Sequence, residues 1–244
     1  MHKTPKNTMT PPNILAGLTL QGFTPPLKLA DFKLIAFDMD STLVNIECID
    51  EIADAVGLKA EVAAITEATM RGEIADFKTS LRRRVALLKG VSVQDMERVY
   101  ADRLQLNPGA AELVAACKKA GMKTLLVSGG FTFFANRVAE RLGIDYAKSN
   151  ELAIDNGVLT GGLVNQSWGD ICDGEEKRKT LLDTCSFLGI APSQSIAVGD
   201  GANDLPMMGA AGLSVAYHAK PKVRERAMVA INDGGLDRLL EVLN

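Results

Sequence analysis

The stretch AFDMDSTLV, residues 36–44, places Asp38 and Asp40 directly after an apolar run. Two later apolar runs are also followed by polar groups, which are Ser128-Gly129-Gly130 and Asp200-Gly201-Ala202-Asn203-Asp204. Each group alone has a simple structural explanation, because aspartates cap helices and glycines form tight corners. Carboxylates that converge at one edge repel one another, however, and burial protonates them unless a cation or hydrogen bonds compensate. The three groups together therefore indicate shared chemistry.

The ligand types favour a hard divalent cation. Oxygen donors dominate these groups, and no histidine or cysteine stands beside them. Mg2+ commonly binds one or two carboxylates together with waters and a substrate phosphate, so a phosphoryl substrate is expected. Backbone amides after Ser128, the Ser128 hydroxyl and the amine of Lys177 in EEKRKTLL could hold the other phosphate oxygens.

Buried parallel strands would position these groups. Short apolar runs predict such strands at residues 33–37, 124–128, 195–199 and 213–217. Helical patterns at 108–120 and 131–142 separate or follow them, each ending at a glycine. This alternation predicts an α/β fold with a Rossmann-like, doubly wound parallel sheet. Ligands in such sheets bind outside the carboxyl ends of the strands, where Asp38, Ser128 and Asp200 stand.

Two interruptions divide the predicted core. About sixty residues, 46–106, show helical periodicity between the first two strands, far more than a βα crossover requires, and they predict an inserted helical cap. Residues 151–164 alternate around Asn156-Gly157, a pair that suits a type I′ turn, and they predict a small β-hairpin flap. The catalytic core would then comprise residues 31–45 and 107–244.

Composition and charge narrow the class of partner. Charged residues make up 23% of the chain and the formal net charge is −3. These values argue against a nucleic-acid or membrane surface, since such surfaces gather Lys and Arg into excess. Small-molecule chemistry fits better, and the protein is expected to be a monomer or a homodimer.

The cysteines and the first residues bear on location. The chain has 4 scattered cysteines without a C-x-x-C pair, which suggests buried thiols in a reducing compartment, with the cytoplasm as the expectation. Residues 1–30 contain several prolines and no signal-peptide pattern. They predict an N-terminal arm that is loose or lies along the core.

The combination of DMDST, SGG, a following lysine and GDGAND resembles the haloacid dehalogenase (HAD) superfamily of Mg2+-dependent phosphotransferases. More narrowly, DMDSTLVNIECIDEIA, SLRRRVALLKG, LLVSGGF and AVGDGANDLPMM are similar to the phosphoserine phosphatase family within it. The similarity runs from about residue 33 to near the C-terminus. It implies hydrolysis of O-phosphoserine to serine and phosphate through an aspartyl-phosphate, the last step of serine biosynthesis.

The resemblance implies different roles for the paired aspartates. Asp38 would be the nucleophile that attacks phosphorus. Asp40 would protonate the serine alkoxide as it leaves, and would later remove a proton from water. Mg2+ would be held by the Asp38 carboxylate, the Asp40 backbone carbonyl and Asp200.

The resemblance also assigns the groups around the phosphate. Ser128, Gly129 and Lys177 would grip it, Asn203 would contact the substrate, and Gly130 and Asp204 would be supporting residues. Asp204 would support either the metal-bound waters or the lysine.

Residues 75–89 of the insert predict an amphipathic helix. Its apolar stripe comprises Phe77, Leu81, Val85 and Leu88. Arg84 lies almost two turns after Phe77 and shares this face, whereas Arg82 and Arg83 project elsewhere. An arginine in an apolar stripe needs an anionic partner, either structural or from a ligand. The resemblance gives it the substrate carboxylate, with Phe77 packed alongside.

Glu47, close after the paired aspartates, would bind the substrate ammonium by the same resemblance. The alternative is an acid in the first turn of a helix, favoured by the helix dipole. Free phosphoserine would satisfy both Glu47 and Arg84, whereas a phosphoserine residue within a chain lacks the free ammonium and carboxylate. The remaining alternatives are a related phosphatase or phosphotransferase for another small phosphomonoester, and a noncatalytic phosphate-binding module.

Overall fold

The computed structural model describes residues 16–244, and its central feature is a mostly parallel sheet. The strands of this sheet and of a separate hairpin are β1 (Leu18–Leu20), β2 (Leu34–Phe37), β3 (Lys123–Phe131), β4 (Tyr146–Asn150), β5 (Leu152–Asp155), β6 (Val158–Leu163), β7 (Ser195–Gly199), β8 (Leu213–Tyr217) and β9 (Val229–Ile231). Within residues 16–244, the main sheet has seven strands in the order β1-β9-β8-β7-β2-β3-β4. Its pairs are parallel except that of β1 with β9.

The predicted α/β fold and its four predicted strands are confirmed: they correspond to β2, β3, β7 and β8. The sequence does not predict β1, β4 or β9. Two of these contain only three residues, which is too short for a clear alternation. The third, β4, has the polar sequence YAKSN because it lies at the edge of the sheet.

Helices connect the strands and fill the insert. They are α1 (Cys48–Ala55), α2 (Lys59–Met70), α3 (Phe77–Leu87), α4 (Val93–Asp102), α5 (Ala110–Lys119), α6 (Thr132–Leu142), α7 (Gly174–Leu188), α8 (Leu205–Ala210) and α9 (Pro221–Arg224). Side-chain caps fix the start of two helices that matter below. Asp76 accepts a hydrogen bond from the N–H of Thr79 at the start of α3, and Asp173 accepts one from the N–H of Glu176 at the start of α7.

The sheet is covered on both faces, as the doubly wound prediction requires. Successive residues of a strand point to opposite faces. In β2, Ile35 and Phe37 pack in one hydrophobic core with residues of α5 and α6, whereas Leu34 and Ala36 pack in a second core with residues of α7, α8 and α9. Among residues 16–244, no helix has both the length and the apolarity to cross a membrane.

The helical insert, residues 46–106, contains α1 to α4 and lies between β2 and β3. Its two connections to the core run side by side: Val44 pairs with Leu106, and the Asn107 amide donates to the carbonyl oxygens of Thr42 and Val44. β5 and β6 form a hairpin that is hydrogen-bonded to the insert, since the Gly90 N–H donates to the carbonyl oxygen of Leu159 at 2.8 Å.

The predicted N-terminal arm is described only in its second half, and residues 1–15 lie outside the described part of the chain. In the second half, β1 extends the main sheet: Leu18 pairs with Ile231, and Leu20 pairs with Val229. Both leucines are fully or almost fully buried. This part of the arm therefore lies along the core.

Candidate active site

Three neighbouring strands bring acidic side chains together. β7, β2 and β3 are adjacent and parallel, so their carboxyl ends meet at one edge. Asp38 follows β2, Asp200 follows β7, and Asp204 lies one short turn further along the chain. A carboxylate oxygen from each of the three lies within 4.8 Å of the others. Together with Lys177 they form what we call the strand-edge cluster.

Lys177 is the positive member of this cluster and is completely buried. Its ammonium donates to Asp38 Oδ1 at 2.6 Å and to Asp204 Oδ1 at 2.7 Å. Burial by itself would lower the pKa of Lys177, but the carboxylates of Asp204 and Asp38 outweigh it and raise that pKa. The lysine therefore stays charged and holds the two aspartates in fixed positions.

The strand-edge cluster has more negative charge than one lysine compensates. Burial, followed by the charge of Asp204, raises the pKa of Asp38 and raises that of Asp200 to about 6. Asp204 is already engaged, because its Oδ2 accepts the backbone N–H groups of Asp200 and Gly201. The all-oxygen donors and the excess of negative charge fit a hard divalent cation at Asp38 and Asp200.

Asp40 lies beside the strand-edge cluster in a buried turn. The turn Met39–Leu43 contains Ser41 at φ 56°, an uncommon conformation for a residue with a side chain. Asp40 Oδ1 accepts the backbone N–H of Cys48, the first residue of α1, at 2.9 Å. The Ser128 hydroxyl lies 3.4 Å from Asp40 Oδ2. Burial raises the pKa of Asp40, and its hydrogen bonds offset only part of that effect. The turn thus favours a protonated carboxyl.

The glycine segment, residues 128–130, faces Asp40 and the insert. The N–H of Gly130 donates to the hydroxyl of the serine that begins the segment, at 2.8 Å. A Cβ at Gly130 would lie 2.5 Å from a carboxylate oxygen of Asp40, and one at Gly129 would lie 2.9 Å from the ring of Phe77. Both positions therefore need glycine so that the backbone can approach these side chains.

The insert presents Arg84 on the face that its helical spacing predicts. Arg84 is half-buried on α3, whereas Arg82 and Arg83 are exposed. The Nε of Arg84 is buried and has no hydrogen-bond partner among the described residues. Burial lowers the pKa of Arg84, although the charges of Asp50 and Glu47 oppose this. A buried guanidinium N–H without an acceptor among the described residues is available to donate to an anion.

Glu47 faces the same space from the start of α1. It is the N-cap residue of this helix, but its side chain makes no capping hydrogen bond. Instead, Glu47 Oε1 accepts from the Ser41 hydroxyl at 2.6 Å. Desolvation, and then the charge of Asp40, raises the pKa of Glu47 to about 7, although Glu47 is an exposed residue. A cation beside this carboxylate would relieve both effects.

Further residues complete this edge of the sheet. The Thr42 hydroxyl donates to Asp200 Oδ1 at 3.3 Å. Because Thr42 belongs to the motif DMDST, the sequence could have indicated this contact. Asn203 is half-buried in the short turn Ala202–Asp204. A cavity of about 650 Å3 opens beside Asp200 and Ser41. The hydrogen bond from Cys48 to Asp40 could not be predicted from the sequence, because its donor is a backbone N–H.

Comparisons with known proteins show the family and the fold. The family model described as haloacid dehalogenase-like hydrolase matches residues 35–209. The phosphoserine phosphatase of Polaromonas sp. strain JS666 is 72% identical over 235 residues, which cover 96% of this chain and 100% of the relative. A solved substrate-bound phosphoserine phosphatase complex is 39% identical, with a TM-score of 0.79 over 87% of this chain and 99% of that chain. A phospho-aspartyl intermediate analogue of phosphoserine phosphatase matches to the same extent.

Proposed function

The chain belongs to the haloacid dehalogenase-like hydrolase family, and from that premise we propose that it is a phosphoserine phosphatase, which hydrolyses O-phosphoserine to serine and phosphate. The observation that carries this proposal is one site with two halves. Asp38 and Asp40 lie at the strand edge, and the insert supplies the Arg84 Nε, which has no hydrogen-bond partner among the described residues and is available to a ligand. The 72% identity to a phosphoserine phosphatase over its whole length supports the same substrate.

Asp38 is assigned as the nucleophile. It is held by Lys177 through one carboxylate oxygen, which leaves the other oxygen for attack on phosphorus. The attack forms an aspartyl-phosphate and breaks the bond between phosphorus and the serine oxygen. Water then hydrolyses the aspartyl-phosphate, which releases phosphate and restores the carboxylate.

Asp40 is assigned as the general acid and base. The serine alkoxide is too basic to leave without a proton, and the raised pKa of Asp40 supports a carboxyl that carries one. After serine leaves, the Asp40 carboxylate can accept a proton from the attacking water. The Cys48 N–H keeps the carboxyl in place through both steps.

The chain's own residues would hold Mg2+ through the Asp38 carboxylate, Asp200 and the Asp40 backbone carbonyl. When bound, Mg2+ would neutralise the charge between the nucleophile and the phosphate. Asp204 would keep Lys177 in place, because its Oδ1 accepts the Lys177 ammonium and its Oδ2 accepts two backbone N–H groups.

Separate groups would recognise the parts of the substrate. Ser128, Gly129 and Lys177 would bind the phosphate, and Asn203 would contact the substrate beside it. Arg84 would bind the carboxylate and Glu47 the ammonium, with Phe77 packed against the ligand. The helical insert would act as a cap that excludes bulk water from the aspartyl-phosphate.

The proposed setting is the closing step of serine biosynthesis in the cytoplasm. All of Cys48, Cys117, Cys172 and Cys185 are free and buried, which supports a reducing compartment.

The test is phosphate release from O-phosphoserine, measured with Mg2+ added and with the divalent cation chelated. We expect turnover only with Mg2+. O-phosphoethanolamine, other small phosphomonoesters and a phosphoserine peptide serve as comparison substrates. Equal turnover of the peptide, or equal turnover in the presence of a chelator, would contradict the proposed substrate or the proposed metal, respectively.

A further inference from the structure

One buried amide lies between the two parts of the chain that would grip the phosphate. Asn150 ends β4 and is 2% exposed. Its Nδ2 donates to the carbonyl oxygen of Gly129, and its Oδ1 accepts the backbone N–H of Cys172, each at 2.8 Å. The side chain therefore links the glycine segment to the residue just before the N-cap of α7.

The register of β3 against β4 explains why an amide is needed at this point. Val127 pairs with Lys148 and Phe131 with Asn150, so β3 advances four residues while β4 advances two. The glycine segment is the part that bulges out of the ladder, and a bulge leaves backbone groups without their usual partners. An amide side chain has both a donor and an acceptor, which can serve one carbonyl and one N–H at once.

Through its Oδ1, Asn150 holds the residue that precedes the N-cap of α7. Cys172 is followed by Asp173, whose side chain accepts the N–H of Glu176 at 2.9 Å and whose carbonyl accepts the N–H of Lys177 at 2.9 Å. The lysine side chain then reaches the strand-edge cluster. A shift of Cys172 would therefore move the ammonium of Lys177.

The glycine segment and the start of α7 also approach each other directly. A Cβ at Gly129 would lie 3.2 Å from the carbonyl oxygen of Cys172. Asn150 thus connects two backbone segments that are already close, and it is the side chain that fixes how they are aligned.

We propose that Asn150 is a positioning residue that sets the placement of the glycine segment relative to Lys177, so that both contact the same phosphate. This inference rests on the proposed function, because it requires a phosphate between these groups. Asn150 itself touches neither the substrate nor the reacting atoms. Its effect should therefore appear in turnover and phosphate affinity, and not in the choice between substrates that differ in their carboxylate.

The experiment compares Asn150→Ala and Asn150→Asp with the control Asp145→Ala. Asp145 lies at the opposite end of the same strand pair, where it accepts the Thr124 N–H at 2.9 Å and the Thr124 hydroxyl at 2.8 Å. The control therefore removes side-chain hydrogen bonds of a comparable kind at a position far from the site. Asn150→Asp keeps the shape and the acceptor for Cys172 but lacks the amide donor. The measurements are kcat and KM for O-phosphoserine and O-phosphoethanolamine, inhibition by inorganic phosphate, and the urea midpoint.

Both Asn150 variants should lower kcat by about ten- to a hundredfold, because small misplacements of binding groups have effects of this order. They should weaken inhibition by phosphate and leave the preference for phosphoserine over phosphoethanolamine unchanged. Asp145→Ala should lower the urea midpoint without changing kcat or phosphate inhibition. A folded Asn150 variant with normal turnover and normal phosphate inhibition would overturn the proposal.

Hydrogen exchange on the unmodified chain covers the case in which neither variant folds. With Mg2+ and inorganic phosphate added, exchange at the amides of Gly130 and Cys172 should slow together. Slowing at Gly130 alone, or at neither amide, would overturn the link through Asn150. An unmodified chain that releases no phosphate from phosphoserine would instead contradict the proposed function, so the two failures are distinguishable.

Discussion

The strand edge and the helical insert contribute to one site in different ways. At the strand edge, Lys177 bonds to Asp38 and Asp204, and backbone N–H groups hold Asp40 and Asp204. In the insert, the Arg84 Nε has no partner among the described residues. The strand edge is thus held by the chain's own hydrogen bonds, whereas the insert carries a buried N–H that the described residues leave without an acceptor.

This difference suggests that the strand edge carries out the reaction and that the insert selects the substrate. Preorganised charges suit a reaction, because the protein does not have to rearrange as charge develops. Unsatisfied buried groups suit discrimination, because a ligand that lacks the matching group leaves them unpaired at a cost of about 1–3 kcal/mol each. Changes at the strand edge should therefore act whether or not a substrate has a carboxylate or an ammonium, and changes in the insert should affect substrates according to those charged groups.

The largest effect is expected from Asp38→Asn. An amide cannot attack phosphorus, so kcat should fall by at least about 10^4-fold for every phosphate ester, as is typical when a nucleophile is removed. Phosphate release measured with purified protein checks this, and circular dichroism serves as the control for folding. Substantial turnover by the folded variant would show that the strand edge does not supply the nucleophile.

Asp40→Asn should have the second-largest effect, and that effect should depend on the leaving group. The loss of a general acid costs about 10^2- to 10^4-fold in kcat. A substrate whose leaving group needs no proton, such as p-nitrophenyl phosphate, should lose much less in the step that forms the aspartyl-phosphate. Single-turnover measurements on both esters make the comparison, and equal losses would contradict the role of Asp40 as the acid.

Arg84→Ala tests the insert half of the comparison, and Arg83→Ala is its matched control one residue away on the exposed face of α3. Loss of the guanidinium should lower kcat/KM for phosphoserine by about a hundredfold, which corresponds to roughly 2–3 kcal/mol for a charged hydrogen-bonding pair. O-phosphoethanolamine, which has no carboxylate, should be affected little. If both substrates lost activity equally, Arg84 would have a structural role.

The strand edge could be predicted well from the sequence because its signals are local. Asp38, Ser128 and Asp200 each follow an apolar run, and parallel strands bring their ends together without further information. The face of Arg84 follows in the same way from helical spacing.

Other features depend on contacts that the sequence does not encode locally. Asn150 ends an edge strand with a polar sequence, so neither the strand nor its register with β3 can be predicted from the sequence. The hold on Asp40 comes from the backbone N–H of Cys48, which any residue other than proline could supply. The hydrogen bond from Ser41 to Glu47 depends on a left-handed backbone conformation in the turn.

The smallest predicted effect is on stability, and it concerns Glu47. Desolvation and then the charge of Asp40 raise its pKa to about 7 from the ordinary value of 4.5. A carboxyl group whose pKa is higher in the folded state makes the protein less stable as pH rises from about 4.5 to about 7, because the folded state then binds more protons than the unfolded state. Glu47→Gln removes this cost.

The free energy of unfolding of Glu47→Gln, measured by urea denaturation without ligand, should therefore exceed that of the unmodified chain at pH 8. The difference should shrink toward pH 5, and solvent at the exposed side of Glu47 should keep it modest. The same variant should bind phosphoserine more weakly, because the ammonium loses its partner. If Glu47 were only an acid at the start of a helix, Glu47→Gln would show neither the pH-dependent gain in stability nor the loss of affinity. The two measurements together therefore test whether Glu47 lowers the stability of the protein while it binds the substrate.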